Sequence, residues 1–220
     1  LPEFTALVVC SANVCRSPSA AAVLRHRLAG PEYRGLRITD AGVRAFSGQS
    51  WCREAVAHLQ RQKILTGELP DHPARQVDAA DLSEAGLVLA ADRAVLGTLI
   101  RLDPTVRDRL FTITEVAALG PPIASERPTY VVPTDESDLS GVLSWWVAAM
   151  DDARGLVDMT EPAERRFPWT RRATIEGYDV PDAHVDGNGV SHRRMLPLLV
   201  ETVDGIAEAV RSLVGGRGDR

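Results

Sequence analysis

The sequence predicts a three-layer α/β fold: a four-stranded parallel sheet with helices on both faces and a short loop after the first strand. Two apolar runs, Ala6-Leu7-Val8-Val9 and Gly86-Leu87-Val88-Leu89-Ala90-Ala91, have strand length and no polar alternation, as strands buried on both faces do. Segments with apolar residues at helical spacing separate the strand candidates, which favours βα units over an all-β or all-α arrangement. Most directly, the first run passes through a short turn into a helix start.

The first strand ends at Cys10. Ser17-Pro18-Ser19-Ala20 then opens a helix, with the Ser17 hydroxyl as cap and Pro18 at the first helical position. A second strand is expected over Leu36-Arg37-Ile38-Thr39, closed by Ala41-Gly42, and a helix from near Ser50 to Lys63 with Val56 and Leu59 inward. The Gly86–Ala91 strand ends at Asp92, ahead of a helix over residues 93–101. Phe111-Thr112-Ile113 is a fourth strand candidate. From Gly120-Pro121-Pro122 to about Gly177 the pattern breaks into Pro-rich and acidic pieces around one helical stretch, Val142–Met150. This reads as an insertion at about 121–176, carrying Trp145, Trp146 and Trp169, whose expected role is packing. The loop 178–184 leads to a last helix from about Ser191 to Val214, where Pro197 suggests a late start. Residues 215–220 read as a flexible tail, so residues 1–214 form a single domain.

Composition narrows the function. The 220 residues are 45% hydrophobic and 25% charged, proportions of a globular protein with a real core. A net charge of −5 argues against broad binding to nucleic acid or to an anionic membrane, so any anion site is local. No long apolar run suggests membrane insertion, and three cysteines are too few and odd in number for a disulfide framework. With no signal peptide recognisable, a reducing cytoplasm is expected. Zinc is a competing use of Cys10 and Cys15, with Cys52 and a histidine as further ligands. No compact Cys/His pair lies downstream, so the expectation is no metal and no cofactor. Nothing in the chain sets the oligomeric state.

Chemistry concentrates in Cys10-Ser11-Ala12-Asn13-Val14-Cys15-Arg16-Ser17, a Cys-x5-Arg-Ser string between a strand end and a helix start. A loop of this length can turn successive backbone N–H groups (Ser11, Ala12, Asn13, Val14, Cys15, Arg16, Ser17) onto one point. That makes a nest for a tetrahedral dianion, reinforced by the helix dipole. Arg16 adds a planar fork for two phosphoryl oxygens, and the same positive field favours the thiolate of Cys10. The Walker-type string and the Rossmann glycines are absent.

The run Val8–Pro18 resembles the signature of low-molecular-weight protein-tyrosine phosphatases. The resemblance extends through Asp40-Ala41-Gly42, Asp71-His72-Pro73-Ala74-Arg75, the strand ending at Asp92 and Val180-Pro181-Asp182, covering residues 5 to about 119 and 176 to 214. It implies a metal-free phosphatase acting on phosphotyrosine of a protein substrate. Cys10 is the implied nucleophile, Arg16 the oxyanion clamp and Asp182 the general acid and later base. Ser17 would bond the thiolate, Asn13 would hold the loop in a partly left-handed course, His72 would support it, and Cys15 would be a redox partner of Cys10. Four departures stand out: Ala12 where many members have glycine, Asp40 for serine, Ala183 for proline, and His184 where a substrate-stacking aromatic is usual. Asp179 is the alternative acid, and Phe46, Trp51 or the inserted tryptophans are alternative walls for the substrate ring. An arsenate reductase of the same fold is a second enzyme reading, disfavoured by the shortage of further cysteines. A phosphate-binding module with little turnover is the reading outside enzymology.

Overall fold

The computed structural model describes residues 4–67, 71–125, 139–155, 177, 179–184 and 191–215. Four strands, β1 (Phe4–Cys10), β2 (Leu36–Gly42), β3 (Leu87–Ala90) and β4 (Leu110–Thr112), form one parallel sheet in the order β2-β1-β3-β4. The order reverses between β1 and β3, so the crevice beyond the carboxyl ends of these two central strands is where an open α/β sheet binds its ligands. Cys10 ends β1 at this point, and Asp92 follows β3 beside it.

Alternation along the strands builds a core on each face. Leu7, Val9, Val88, Ala90 and Leu110 face one layer, made by α3 (Ala79–Glu84) and α4 (Arg93–Leu102) through Leu82, Val95 and Leu99. Val8, Leu89 and Phe111 face the other, larger layer. There α1 (Arg16–Arg27) and α5 (Ile113–Ser125) both pack on α7 (His192–Gly215), while α2 (Arg53–Arg61) and α6 (Leu139–Asp152) lie at its margins. Each large side chain fully buried in these layers contributes roughly 1.5–3 kcal/mol.

Several boundaries differ from the sequence expectation, each for a local reason. Ser17 does not cap α1: the helix starts at Arg16, Cys15 is its N-cap without a side-chain bond, and the Ser17 hydroxyl turns to Cys10. The expected helix from Ser50 to Lys63 shortens to α2, with Ala55 and Leu59 inward and Val56 only half-buried. The fourth strand ends at Thr112, because Thr112 and Glu115 exchange bonds in a capping box that starts α5 at Ile113. The pattern break expected at Gly120-Pro121-Pro122 and the late start expected at Pro197 both give way to continuous helix. α5 runs through Pro121 and Pro122 to Ser125, and α7 starts at His192 and runs through Pro197. Burial of Val116, Leu119 and Ala124 beneath α6 and α7 offsets the bonds that the two prolines cannot donate to Ala117 and Ala118. The Trp146 indole N–H uses a carbonyl of this stretch, bonding Gly120 O at 3.1 Å.

The described parts of the expected insertion are the end of α5, α6 and the turn after it. Trp146 is 1% exposed and lies among Phe4, Leu36, Leu87 and Leu143. Those strand residues mark the amino-terminal end of the sheet, so Trp146 is far from Cys10. Arg154 anchors the turn by donating to the carbonyls of Leu110 and Arg107, with its guanidinium 3.8 Å above the Phe111 ring. Trp169 and the Gly-rich tail 216–220 lie outside the described residues.

Candidate active site

The loop from Ser11 to Cys15 is held by its own side chains and by β2. Asn13 adopts φ 57°, the left-handed region that asparagine tolerates. Its side chain closes a ring: Nδ2 donates to Ser17 Oγ at 3.1 Å and Asp40 Oδ1 at 2.8 Å, and Oδ1 accepts from Arg75 N–H at 2.9 Å. Ala12 is not the left-handed residue, so its Cβ meets no backbone penalty there. The end of β2 runs against the loop through Val43 N–H to Cys10 O (3.0 Å) and Arg44 N–H to Ser11 O (2.8 Å). Such an approach requires Gly42: a Cβ there would stand 2.7 Å from Ser11 O and 2.8 Å from Asn13 N.

Asp40, in place of the family's serine, is buried, yet its carboxylate is fully engaged. Arg25 of α1 donates to it at 2.9 Å, Asn13 donates at 2.8 Å, and His72 Nε2 lies 3.5 Å away. His72 also reaches Asn13 O at 3.2 Å, so it contacts the loop backbone as well as Asp40.

At the centre of the loop the Cys10 sulfur accepts from Ser17 Oγ at 3.0 Å and from Asn13 N–H at 3.3 Å. Ser17 has one hydroxyl proton within reach of both this sulfur and Ala41 O, at 3.1 Å, and a thiolate is the stronger acceptor. Arg16 is 3% exposed, and both of its terminal nitrogens are engaged. One terminal nitrogen donates to Asp92 Oδ2 (2.7 Å) and Val180 O (2.9 Å), the other to Asp182 Oδ2 (2.5 Å). Asp92 divides its work, since its other oxygen caps α4 by accepting from Val95 N–H at 2.8 Å. Sequence reasoning placed Asp92 only at the end of a strand and missed this grip on Arg16. Its place at the end of the central strand β3 was the available signal.

The loop carrying Asp182 reaches the site from far along the chain. Val180 N–H bonds Ala91 O at 2.8 Å, beyond the end of β3. The two candidate acids separate cleanly: Asp182 faces Arg16, whereas Asp179 forms a two-oxygen ion pair with Arg93 and accepts the Arg93 backbone N–H at 2.8 Å. Burial pushes the Asp179 carboxyl up, but the bonds and charge from Arg93, with the charge of Arg16, outweigh it and hold the group below the ordinary carboxylate value.

Among the possible ring walls, Phe46 is 79% exposed and Trp146 is buried away from the loop. Trp51 stands with its ring 5.2 Å from that of His72, in a groove of about 320 Å³ that Arg53 and Asp71 also line. Cys15, the expected redox partner of Cys10, engages a different sulfur. Its bond to Cys52, then burial, pushes the Cys15 thiol well up, and the same bond lowers Cys52 to about 5 in spite of burial.

The family model for low molecular weight phosphotyrosine protein phosphatase matches residues 5–118, more than half of the 220-residue chain and all of the loop just described. The chain belongs to this family. A probable low molecular weight protein-tyrosine-phosphatase, EpsP, of Ralstonia nicotianae is 32% identical over 112 residues, 51% of this chain and 72% of that protein. A low molecular weight protein-tyrosine-phosphatase of Streptomyces coelicolor is 38% identical over 103 residues, 46% of this chain and 60% of that protein. The crystal structure of YfkJ from Bacillus subtilis superposes with a TM-score of 0.60 at 17% identity, covering 96% of both chains, a likeness of fold. In this low-molecular-weight phosphatase the matched segment supplies Cys10, Arg16 and Asp92, while Asp182 and its loop lie beyond it.

Proposed function

We propose that the chain hydrolyses phosphotyrosine and related aryl phosphate monoesters through a cysteinyl-phosphate intermediate, without a metal at the reacting phosphorus. The observation that carries this reading is the Cys10 sulfur receiving the Ser17 hydroxyl and the Asn13 N–H, with Arg16 six residues on in the same loop. In step one the Cys10 thiolate attacks phosphorus and the P–O bond to the phenol breaks, the phenolate taking a proton from Asp182. Arg16 holds the equatorial oxygens, whose charge is the main one to be stabilised. In step two Asp182 takes a proton from water, the water oxygen attacks phosphorus, and the S–P bond breaks to return thiolate and free phosphate.

The ion pair between Arg16 and Asp182 gives the cycle an order. An arriving phosphoryl group competes for the Arg16 nitrogen that holds Asp182, and so turns this carboxyl towards the leaving oxygen. Asp92 keeps the other nitrogen throughout and acts as a positioning residue. Asp179, engaged with Arg93, is a latch for the loop and not the acid. Trp51 is the wall for the substrate ring, in the groove it shares with His72. The buried, apolar Val14 within the loop favours phosphotyrosine over phosphoarginine, and a catalytic thiol beside two further free cysteines fits a reducing cytoplasm.

Parallel turnover of phosphotyrosine, phosphoarginine and arsenate tests the reading. Metal-independent hydrolysis of the aryl ester, lost in Cys10→Ser, is expected. Faster thiol-dependent arsenate reduction would establish the reductase instead, and binding of phosphate without turnover would establish a binding module.

A further inference from the structure

Beside the phosphate loop, four side chains that the proposed chemistry leaves unused converge. Cys15 is the N-cap of α1, Cys52 the N-cap of α2, His192 the first residue of α7, and His184 lies two residues past Asp182. One ligating atom from each falls within 4.8 Å of all the others. Cys52 Sγ is 3.4 Å from His192 Nε2, which is 3.0 Å from His184 Nε2. A tetrahedral zinc ion with its usual bonds, about 2.3 Å to sulfur and 2.0–2.1 Å to nitrogen, sets its ligand atoms roughly 3.3–3.8 Å apart.

We propose that Cys15, Cys52, His184 and His192 form a structural zinc site that pins the Asp182 loop to the phosphate loop. In the bound site both sulfurs are thiolates, their protons gone to solvent, so two thiolates and a divalent ion leave the centre formally neutral. Two sulfurs with two imidazoles are a closed tetrahedral donor set, which zinc prefers and which leaves no open position for catalysis. The Glu54 carboxylate, 3.3 Å from Cys52 Sγ, is a further negative neighbour that the cation offsets.

The placement accounts for two features left over. His184 stands where the family carries an aromatic, and its backbone N–H donates to Asp182 Oδ1 at 3.0 Å, so fixing His184 fixes Asp182. Cys52 N–H bonds Val14 O at 2.7 Å, which ties the α2 ligand to the phosphate loop. The site also removes Cys15 from its expected role: a sulfur bound to zinc is unavailable for a disulfide with Cys10. This last consequence rests on the proposed role of Cys10, whereas the metal site does not.

The test is zinc content of the purified full-length chain after exhaustive desalting, with cobalt(II) substitution of the same protein. About one equivalent of zinc is expected. The cobalt form should show the sulfur-to-metal charge-transfer band and ligand-field bands of a tetrahedral centre, a readout that needs no variant. Cys52→Ser and His192→Ala should lose the zinc, and Cys10→Ser should keep it. Wild-type protein that takes up no zinc at micromolar free metal would overturn the site. So would zinc retained in both ligand variants, or a Cys15–Cys52 disulfide in the freshly purified chain. Activity adds a separate readout: turnover lost in Cys10→Ser with zinc retained keeps the metal site whatever becomes of the phosphatase reading.

Discussion

The phosphate loop and the Asp182 loop meet at one guanidinium but are held in opposite ways. The phosphate loop is a continuous string whose restraints are dense: Asn13 alone bonds Ser17, Asp40 and the Arg75 backbone, and β2 lies against it without a gap. Among the described residues, the Asp182 loop is tied over long range to Arg93, Ala91 and Arg16, each more than 80 residues away in sequence, and through His184 to His192. Binding and attack are therefore built into a rigid, local element, and proton transfer into a loop positioned from distant sequence, whose Asp182 carboxyl changes partner during the cycle. Rigidity is affordable where geometry must not change during the cycle; Asp182 must serve first as acid and then as base.

The strongest way to break this contrast is at the nucleophile. Cys10→Ser should remove aryl phosphate turnover essentially completely while leaving the circular dichroism spectrum unchanged. Next in size is Gly42→Ala. A methyl group there meets the backbone of Ser11 and Asn13, so the loop must shift, with turnover falling on the order of 100-fold and stability by about 1–3 kcal/mol in denaturant unfolding. A fall in stability without loss of turnover would mean that the loop is less rigid than described.

On the other side of the comparison, Asp182→Ala should slow turnover on the order of 10²–10³-fold for esters with poor leaving groups and far less for good ones. An equal loss with every leaving group would remove Asp182 as the acid. Arg93→Ala, which frees the latch residue Asp179, should be milder: several-fold in kcat, with a stability loss at neutral pH of at most about 1 kcal/mol, the pair being largely exposed. The latch also sets a pH dependence. Because the Asp179 carboxyl is lowered in the fold, its contribution is present above the unfolded value near 3.8 and fades as pH falls through the lower folded value. The stability difference between wild type and Arg93→Ala should accordingly be full at pH 6 and shrink in strong acid. A difference constant with pH would locate the effect elsewhere.

The same contrast explains what the sequence made legible. The βα opening, the strand ends at Cys10 and Asp92 and the Cys-x5-Arg-Ser string are contiguous, so periodicity and spacing reveal them. The helices that run through Pro121, Pro122 and Pro197 are decided by burial against neighbouring helices, α5 on α6 and α7 and α7 on α1 and α5, a tertiary effect that outweighs local proline chemistry. Likewise, Ser17 looks like a helix cap until the Cys10 sulfur competes for its proton. The dual role of Asp92 and the choice between Asp179 and Asp182 depend on Arg16 and Arg93, residues that no local window sees together. The cysteine and histidine cluster is the extreme case: its members lie at 15, 52, 184 and 192, a spacing without a motif, joined only where three helix starts meet.

The central claim is that Cys10 carries the phosphoryl group between the two steps. The direct measurement is rapid acid quench of the chain during aryl phosphate turnover, followed by mass mapping of the peptide that contains Cys10. The account predicts one phosphoryl group on Cys10 and a burst of phenol matching the enzyme concentration whenever the second step is slowed. Steady turnover with no phosphate on that peptide, or turnover surviving in Cys10→Ser, would contradict it.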